Sequence, residues 1–253
     1  MKDVVRRLEA WYAKHTPAKL ALRPGASDRA IAAAEKAMKI EFPPTFREWL
    51  RIHDGQAPEA TIDWAPGCTR LAPLSEVVKQ WKDERDMDDD EHVGKLQERG
   101  RIQNILFHAK RIPIAGTEYW DGDKTYIDFV PGPKGKAGQI ITLVTECDFV
   151  VLGETMTEFL EKYLAILESG ALAFSKGTGE LAPVGREHFD ENPAEWMVKR
   201  IDATARKPAP AAKTPTGKKP AAKKPAAKKP AAKKPAAKKP AGKKPAAKKS
   251  VTK

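Results

Sequence analysis

Cysteine is almost missing from this chain. Cys68 and Cys147 are the whole supply in 253 residues, far apart and in no CxxC or Cys/His cluster, so neither a disulfide framework nor a structural zinc is expected. No run approaches the ~18 apolar residues of a membrane span, which leaves no membrane partner to expect. The opening MKDVVRRLEAWYAKH alternates charged with apolar positions and reads as a helix, not as a secretory leader. A cytoplasmic protein is the expectation. P-loop, GxGxxG, GxSxG and HExxH patterns are all lacking. His15, His53, His92, His108 and His188 are scattered without metal-ligand spacing. Asp86, Asp88 and Asp90 copy the early positions of a calcium loop, but Glu91 replaces its turn glycine and Gln97 its bidentate glutamate. The acidic run is therefore read as solvated. No catalytic residue, metal ligand or cofactor is expected, and the chain is read as not an enzyme.

Acidic residues stop at Asp202. From Ala203 to Lys253 there are 18 Lys or Arg, which leaves 28 basic and 34 acidic residues in Met1–Asp202, a body near −6 and a tail near +18. The net +12 describes neither part. Six consecutive pentapeptides run from Pro220 to Lys249, five PAAKK and one PAGKK. Proline at every fifth position blocks a continuous helix. With no aromatic and no large apolar residue but Val251, the tail cannot offset the entropy of ordering and is expected to be disordered, with polyproline II character. At ~3.1 Å per residue each repeat carries two lysines over ~15 Å. Duplex DNA offers a phosphate per ~1.7 Å of axis, so these lysines need no fixed register. Lys218, Lys219, Lys223, Lys224, Lys228, Lys229, Lys233, Lys234, Lys238, Lys239, Lys243, Lys244, Lys248 and Lys249 are the candidate contacts to nucleic acid or another polyanion. Without aromatics or arginine forks the binding would ignore sequence. The composition resembles the Lys/Ala/Pro-rich tails of linker histones and some nucleoid proteins, which makes a nucleoid-associated location the companion expectation. A solubility tail is the alternative reading.

The body shows the periodicity of packed elements. Val4, Val5, Leu8, Trp11 and Tyr12 share one helical face. Ser27 is placed to cap a helix burying Ile31, Ala34 and Met38. Pro43-Pro44 opens another with Phe46, Trp49 and Leu50 inward, and Gly55 is the expected stop. Ser75 is read as the cap of a short helix carrying Val77, Val78 and Trp81, and residues 82–101 as a charged loop or exposed helix. Strand-like runs follow at Arg111–Ala115, Thr125–Val130, Gln139–Val144 and Phe149–Leu152. Thr155 and Glu158 form a capping box for a helix with the stripe Met156, Phe159, Leu160, Tyr163, Leu164 and Leu167. Residues 170–191 read as irregular. Asn192, Pro193 and Glu195 then signal a short helix whose Trp196, Met197 and Ile201 dock on the body. Helices, a clustered antiparallel sheet, then a helix make an α+β layout. The boundaries expected are 1–170 for the globular domain, 171–202 for an irregular extension with a short helix, and 203–253 for the tail.

The segments LRPGAS, FPPTFREWLRIHDGQ, RIPIA, GDKTYIDFVPGPKGKAGQII and FVVLGETMTEFLEKYL stand in this order along the chain. Together they resemble the SUKH superfamily, the Smi/Knr group that includes a fungal cell-wall-synthesis regulator and many bacterial toxin-immunity proteins. The resemblance spans roughly Ala10 to Leu167. It implies an α+β fold with helices packed on a curved sheet, and binding of other proteins without catalysis, the partner being unidentified and a basic toxin domain one possibility. Within that frame Trp49 reads as core. Asp54 and Gln56 flank Gly55 in an expected helix-ending turn, and Gly122-Asp123 in an expected hairpin turn. Asp128, flanked by Ile127 and Phe129, is expected to project from an exposed sheet face. Trp120 is the candidate partner-contacting aromatic, with partial burial the alternative. The expected surface joins Trp120, Tyr119, Asp121 and Asp123 to Asp54, Gln56 and Asp128. The rival reading is a nucleoid structural protein acting mainly through the tail.

Overall fold

The computed structural model describes residues 1–67, 69–87, 100–117, 119–144 and 148–205, with side chains as far as Ile201. Expectations about Cys68, Cys147, most of the acidic run and the lysine repeats lie outside these residues. The described elements run α1 (Lys2–His15), β1 (Leu22–Pro24), α2 (Asp28–Met38), α3 (Pro44–Ile52), β2 (His53–Gln56), β3 (Arg70–Leu71) and α4 (Leu74–Glu84). They continue with β4 (Arg111–Gly116), β5 (Lys124–Asp128), β6 (Gln139–Val144), β7 (Asp148–Gly153), α5 (Met156–Glu168), β8 (Leu172–Phe174), β9 (Leu181–Pro183) and α6 (Pro193–Ala205). The fold is α+β, and none of the described helices is long and apolar enough to cross a membrane.

Local chemistry starts most helices where the sequence signals them. Ser27 accepts from the Ala30 amide to cap α2, and Thr155 accepts from Glu158 to cap α5. Glu158 reaches back to the Glu154 amide at 2.7 Å, completing a reciprocal cap. All six stripe residues of α5 are buried, and its Tyr163 hydroxyl meets that of Tyr12 on α1 at 2.5 Å. Two signals are overturned. Gly55 does not end α3, which stops at Ile52; Gly55 sits inside β2 with φ +73, where an added Cβ would strike the backbone of Ala72 and Pro73 at 2.4–2.6 Å. Ser75 does not cap α4: the Asp54 carboxylate accepts from the Leu74 amide at 2.6 Å, a cap delivered from 20 residues upstream.

Strands β3-β4-β5-β6-β7 form one antiparallel meander in sequence order. Bulges at Pro113/Ala115 and Ile140/Ile141 bend it locally, and the first lets a proline sit in β4 beyond the reach of two-residue β3. The sheet is covered on both faces. Ile112, Ile114, Ile127, Ile140, Val150 and Leu152 join the helices in the main core. Tyr126, Ile141, Leu143, Phe149 and Val151 form a second core with Ile102 and Leu106 of the preceding segment.

This second cover corrects the reading of Asp128. Its side chain does lie on the face opposite Ile127, as alternation requires, but that face is not open and Asp128 is 0% exposed. Its Oδ1 is 3.4 Å from Nε of Arg111, directly opposite on β4, and accepts from the Val130 amide at 3.0 Å. Its Oδ2 accepts from Gln139 at 3.0 Å. The Arg111 guanidinium also donates to the carbonyls of Gln103, Ile105 and Leu106 and lies 4.7 Å above the Phe149 ring. The stretch read as irregular contains the β8–β9 hairpin, whose three-residue strands are too short to show alternation. Beyond it α6 buries Ala194, Trp196, Met197 and Ile201 in the main core.

Breaking the Arg111–Asp128 pair yields a test. Asp128→Ala leaves a buried guanidinium unmatched and should cost about 3–5 kcal/mol in urea unfolding. Removing both charges with Arg111→Met and Asp128→Leu should restore little, because the three carbonyls lose their donors too. Full recovery in the double variant would mean that those carbonyl contacts carry no stability.

Candidate functional site

The turn between β4 and β5, described at residues 117 and 119–123, carries four of the candidate partner-binding residues. Gly122 and Asp123, expected to make the hairpin turn before the strand, stand at its end, directly before β5. Among the described residues of the turn, the one with a left-handed backbone is Trp120, at φ 59. Thr117 holds the turn: its hydroxyl bonds Asp121 Oδ1 at 2.7 Å and accepts from the Asp121 amide at 3.2 Å, while the Trp120 amide reaches the Thr117 carbonyl at 3.3 Å. The Trp120 ring lies over Gly116, where an added Cβ would come within 2.5 Å of it. Ring packing thus explains the backbone: a tryptophan adopts φ 59 here because the half-buried indole is seated against the main core.

Seating Trp120 inward turns its neighbour outward. Tyr119 is 79% exposed, the most exposed large hydrophobic residue among the described residues. Asp121 is exposed but engaged with Thr117, and Asp123 Oδ2 lies 3.5 Å from the side-chain Nδ2 of Asn192, just before α6. The other three candidates are not brought to this turn. Gln56 is buried, donating to the carbonyls of Leu20 and Ile62 and accepting from the Leu71 amide. Asp54 caps α4, and Asp128 lies beneath the sheet at the far end of β5. Gln56 and Asp128 are structural, because a polar residue amid apolar neighbours marks an inward network as readily as an outward face.

Sequence reasoning missed two features beside the turn. Glu84, at the end of α4, is buried with its carboxylate 2.7 Å from Lys124 Nζ at the first residue of β5. A cleft of about 560 Å³ also opens between residues 60–67 with Arg70 and the β8–β9 hairpin, reaching Pro193 next to Asn192. No local signal marks it, since its walls come from segments about a hundred residues apart. Asp63 opens onto the cleft, where burial among its walls pushes the carboxyl pKa up, with Arg70 opposing and Glu180 adding to the rise. Among the described residues no group of three or more His, Cys, Asp or Glu converges to hold a metal.

Two outcomes are expected. Trp120→Ala and Trp120→Gly both lose the indole packing, but only the alanine retains the backbone strain. The glycine variant should therefore be the more stable of the two by about 0.5–1 kcal/mol, and equal melting temperatures would remove strain from the account. The second outcome concerns pH. Burial pushes the Glu84 carboxyl above the ordinary glutamate range, with Lys124 opposing, so the folded chain keeps this proton to higher pH than the unfolded chain. Stability from this group then falls as pH rises through that range. Relative to wild type, Glu84→Gln should gain in melting temperature as pH rises from about 4 to 7, and a constant or reversed difference would contradict the raised pKa.

The family model described as the SMI1 / KNR4 family (SUKH-1) matches residues 25–162, more than half of the chain. The chain is 25% identical over 201 residues to the cell wall assembly regulator SMI1 of Saccharomyces cerevisiae, covering 65% of this chain and 40% of that protein. It is also 25% identical over 234 residues to a KNR4/SMI1 homolog of Eremothecium gossypii, covering 65% of this chain and 35% of that protein. The chain thus spans well under half the length of these relatives. A match that runs from α2 through the whole five-stranded sheet into the first half of α5 takes in the scaffold that positions the turn, and on that ground the chain belongs to the SMI1/KNR4 family (SUKH-1).

Proposed function

We propose that this chain is a non-enzymatic protein-interaction module, immunity-like or regulatory in role, whose folded part presents the Tyr119 turn to a partner protein while its lysine-rich tail holds nucleic acid or another polyanion. The observation that carries the reading is Tyr119: a large aromatic 79% exposed on a turn fixed by its own hydrogen bonds, with Asp121 and Asp123 beside it. Interface energy concentrates in such aromatic anchors, and a turn that is already ordered loses little entropy on binding. The acidic rim favours a basic partner, such as a toxin domain that itself grips nucleic acid. The regulatory side of the reading draws on the yeast relative, a cell wall assembly regulator. A cytoplasmic or nucleoid-associated location fits both halves.

The test treats the halves separately. Tyr119→Ala, alone and with Asp123→Asn, should weaken partner capture while leaving the melting temperature nearly unchanged. Capture that survives both changes would move the interface elsewhere. For the tail, log affinity for duplex DNA should fall linearly with log salt, a loss of roughly 10³–10⁵ between 50 and 200 mM if ~6–10 phosphates are neutralised. Because the backbone of α6 continues to Ala205, the truncation that spares the helix ends there. It should abolish DNA binding at an unchanged melting temperature, since the remaining body is acidic. DNA affinity retained by the truncated chain would defeat the tail assignment.

A further inference from the structure

The cleft beside the turn has no role in the reading above, and its lining describes a ligand. One wall holds Asp63, Pro66, Gly67 and Arg70; the other is built by Phe174, Glu180 and Phe189, completed by Pro193. At about 560 Å³ it falls in the range of small-ligand sites, ~300–1,000 Å³, and holds a side chain with its flanking backbone. The aromatic walls are stiffly mounted. Phe174 rests against Trp11 and Tyr12 at ring distances of 6.1 and 6.0 Å, and Phe189 stands edge-on to Trp196 at 5.4 Å.

The charges are unequal. Asp63 and Glu180 face the space with Arg70 as the only cation of its lining among the described residues, and Arg70 Nη2 is already directed at the Ala60 carbonyl at 3.3 Å. His188 stands 3.5 Å from Glu180. An entering cation relieves the repulsion between the two carboxylates, whereas an anion adds to it. A bare metal ion would leave the phenylalanine walls unused. A long alkyl stem ending in a positive charge uses both, the stem against the rings and the head between the carboxylates.

We propose that this cleft receives a lysine or arginine side chain presented by an extended segment of the partner protein. The proposal rests on the reading of the chain as an interaction module and names the chemistry of its partner. Charge complementarity selects the occupant, and continuity supports it: Asn192, bonded to Asp123 of the turn, immediately precedes Pro193 of the cleft. Phe174, Glu180, Phe189 and Pro193 lie beyond residue 162, outside the family match, so the cleft is an addition to the shared scaffold. Discrimination between partners would reside there.

The test uses the full chain, labelled with ¹⁵N and titrated with three peptides, acetyl-Ala-Ala-X-Ala-Ala-amide with X as lysine, norleucine or glutamate. The lysine peptide should shift the amides of Gly67, Thr178 and Gly179 at millimolar concentration. The norleucine peptide, of the same shape without the charge, should bind about tenfold more weakly, as should the lysine peptide to an Asp63→Asn, Glu180→Gln variant. Equal binding of lysine and norleucine would make the cleft merely apolar. Preference for glutamate would make it an anion site governed by Arg70. Either result overturns the proposal, as does the absence of shifts at these amides. Tyr119→Ala must leave the peptide affinity unchanged. Loss of partner capture in that variant with no peptide binding defeats this proposal alone; peptide binding with capture insensitive to Tyr119 defeats the turn assignment alone.

Discussion

Arg111 and Asp128 face each other beneath the sheet with almost no contact with water, and neither charge is tolerable there without the other. The guanidinium has more donors than one carboxylate can accept, and the surplus goes to the carbonyls of Gln103, Ile105 and Leu106. That requirement draws the segment before β4 across the sheet. Were the segment elsewhere, Tyr126, Ile141, Leu143, Phe149 and Val151 would form an open apolar face. The ion pair therefore does more than join two strands. It converts a half-covered sheet into one covered on both sides, and so confines exposed chemistry to loops and ends.

The Tyr119 turn is the clearest product of that confinement. Its base is fixed by Trp120 lying on Gly116 and by the buried contact between Glu84 and Lys124. Its interior is closed by Thr117 with Asp121. A tyrosine carried between these anchors has nowhere to pack and stands in solvent. The strained backbone of Trp120 is maintained by the indole's burial, which gives structural content to an outlier at a candidate binding surface.

Elements outside the matched residues 25–162 are not appendages. Helix α1 shares the Tyr12–Tyr163 hydroxyl contact with α5, and α6 places Trp196 and Met197 in the main core. These additions enlarge the hydrophobic core and, through the β8–β9 hairpin, raise a second wall opposite the one that holds Asp63, Gly67 and Arg70. A scaffold shared with cell wall assembly regulators thereby carries a cleft made half from the scaffold and half from its extension.

Helices and long strands were legible in the chain because their signals are local. Ser27, Thr155 and the stripe of α5 act within one or two turns, and a six-residue run such as Gln139–Val144 declares itself by composition. The parity of Asp128 within β5 also followed from sequence alone, as did the opposite charges of body and tail. Tertiary structure decided whatever depends on residues distant in the chain. Asp54 could not announce that it caps a helix 20 residues away, nor Gly55 that the Ala72–Pro73 backbone would press against it. Burial of Asp128 rests on a segment that precedes it by about two dozen residues, and the cleft on walls about a hundred residues apart. Alternation assigns a side chain to a face of a sheet, but only packing determines what covers that face.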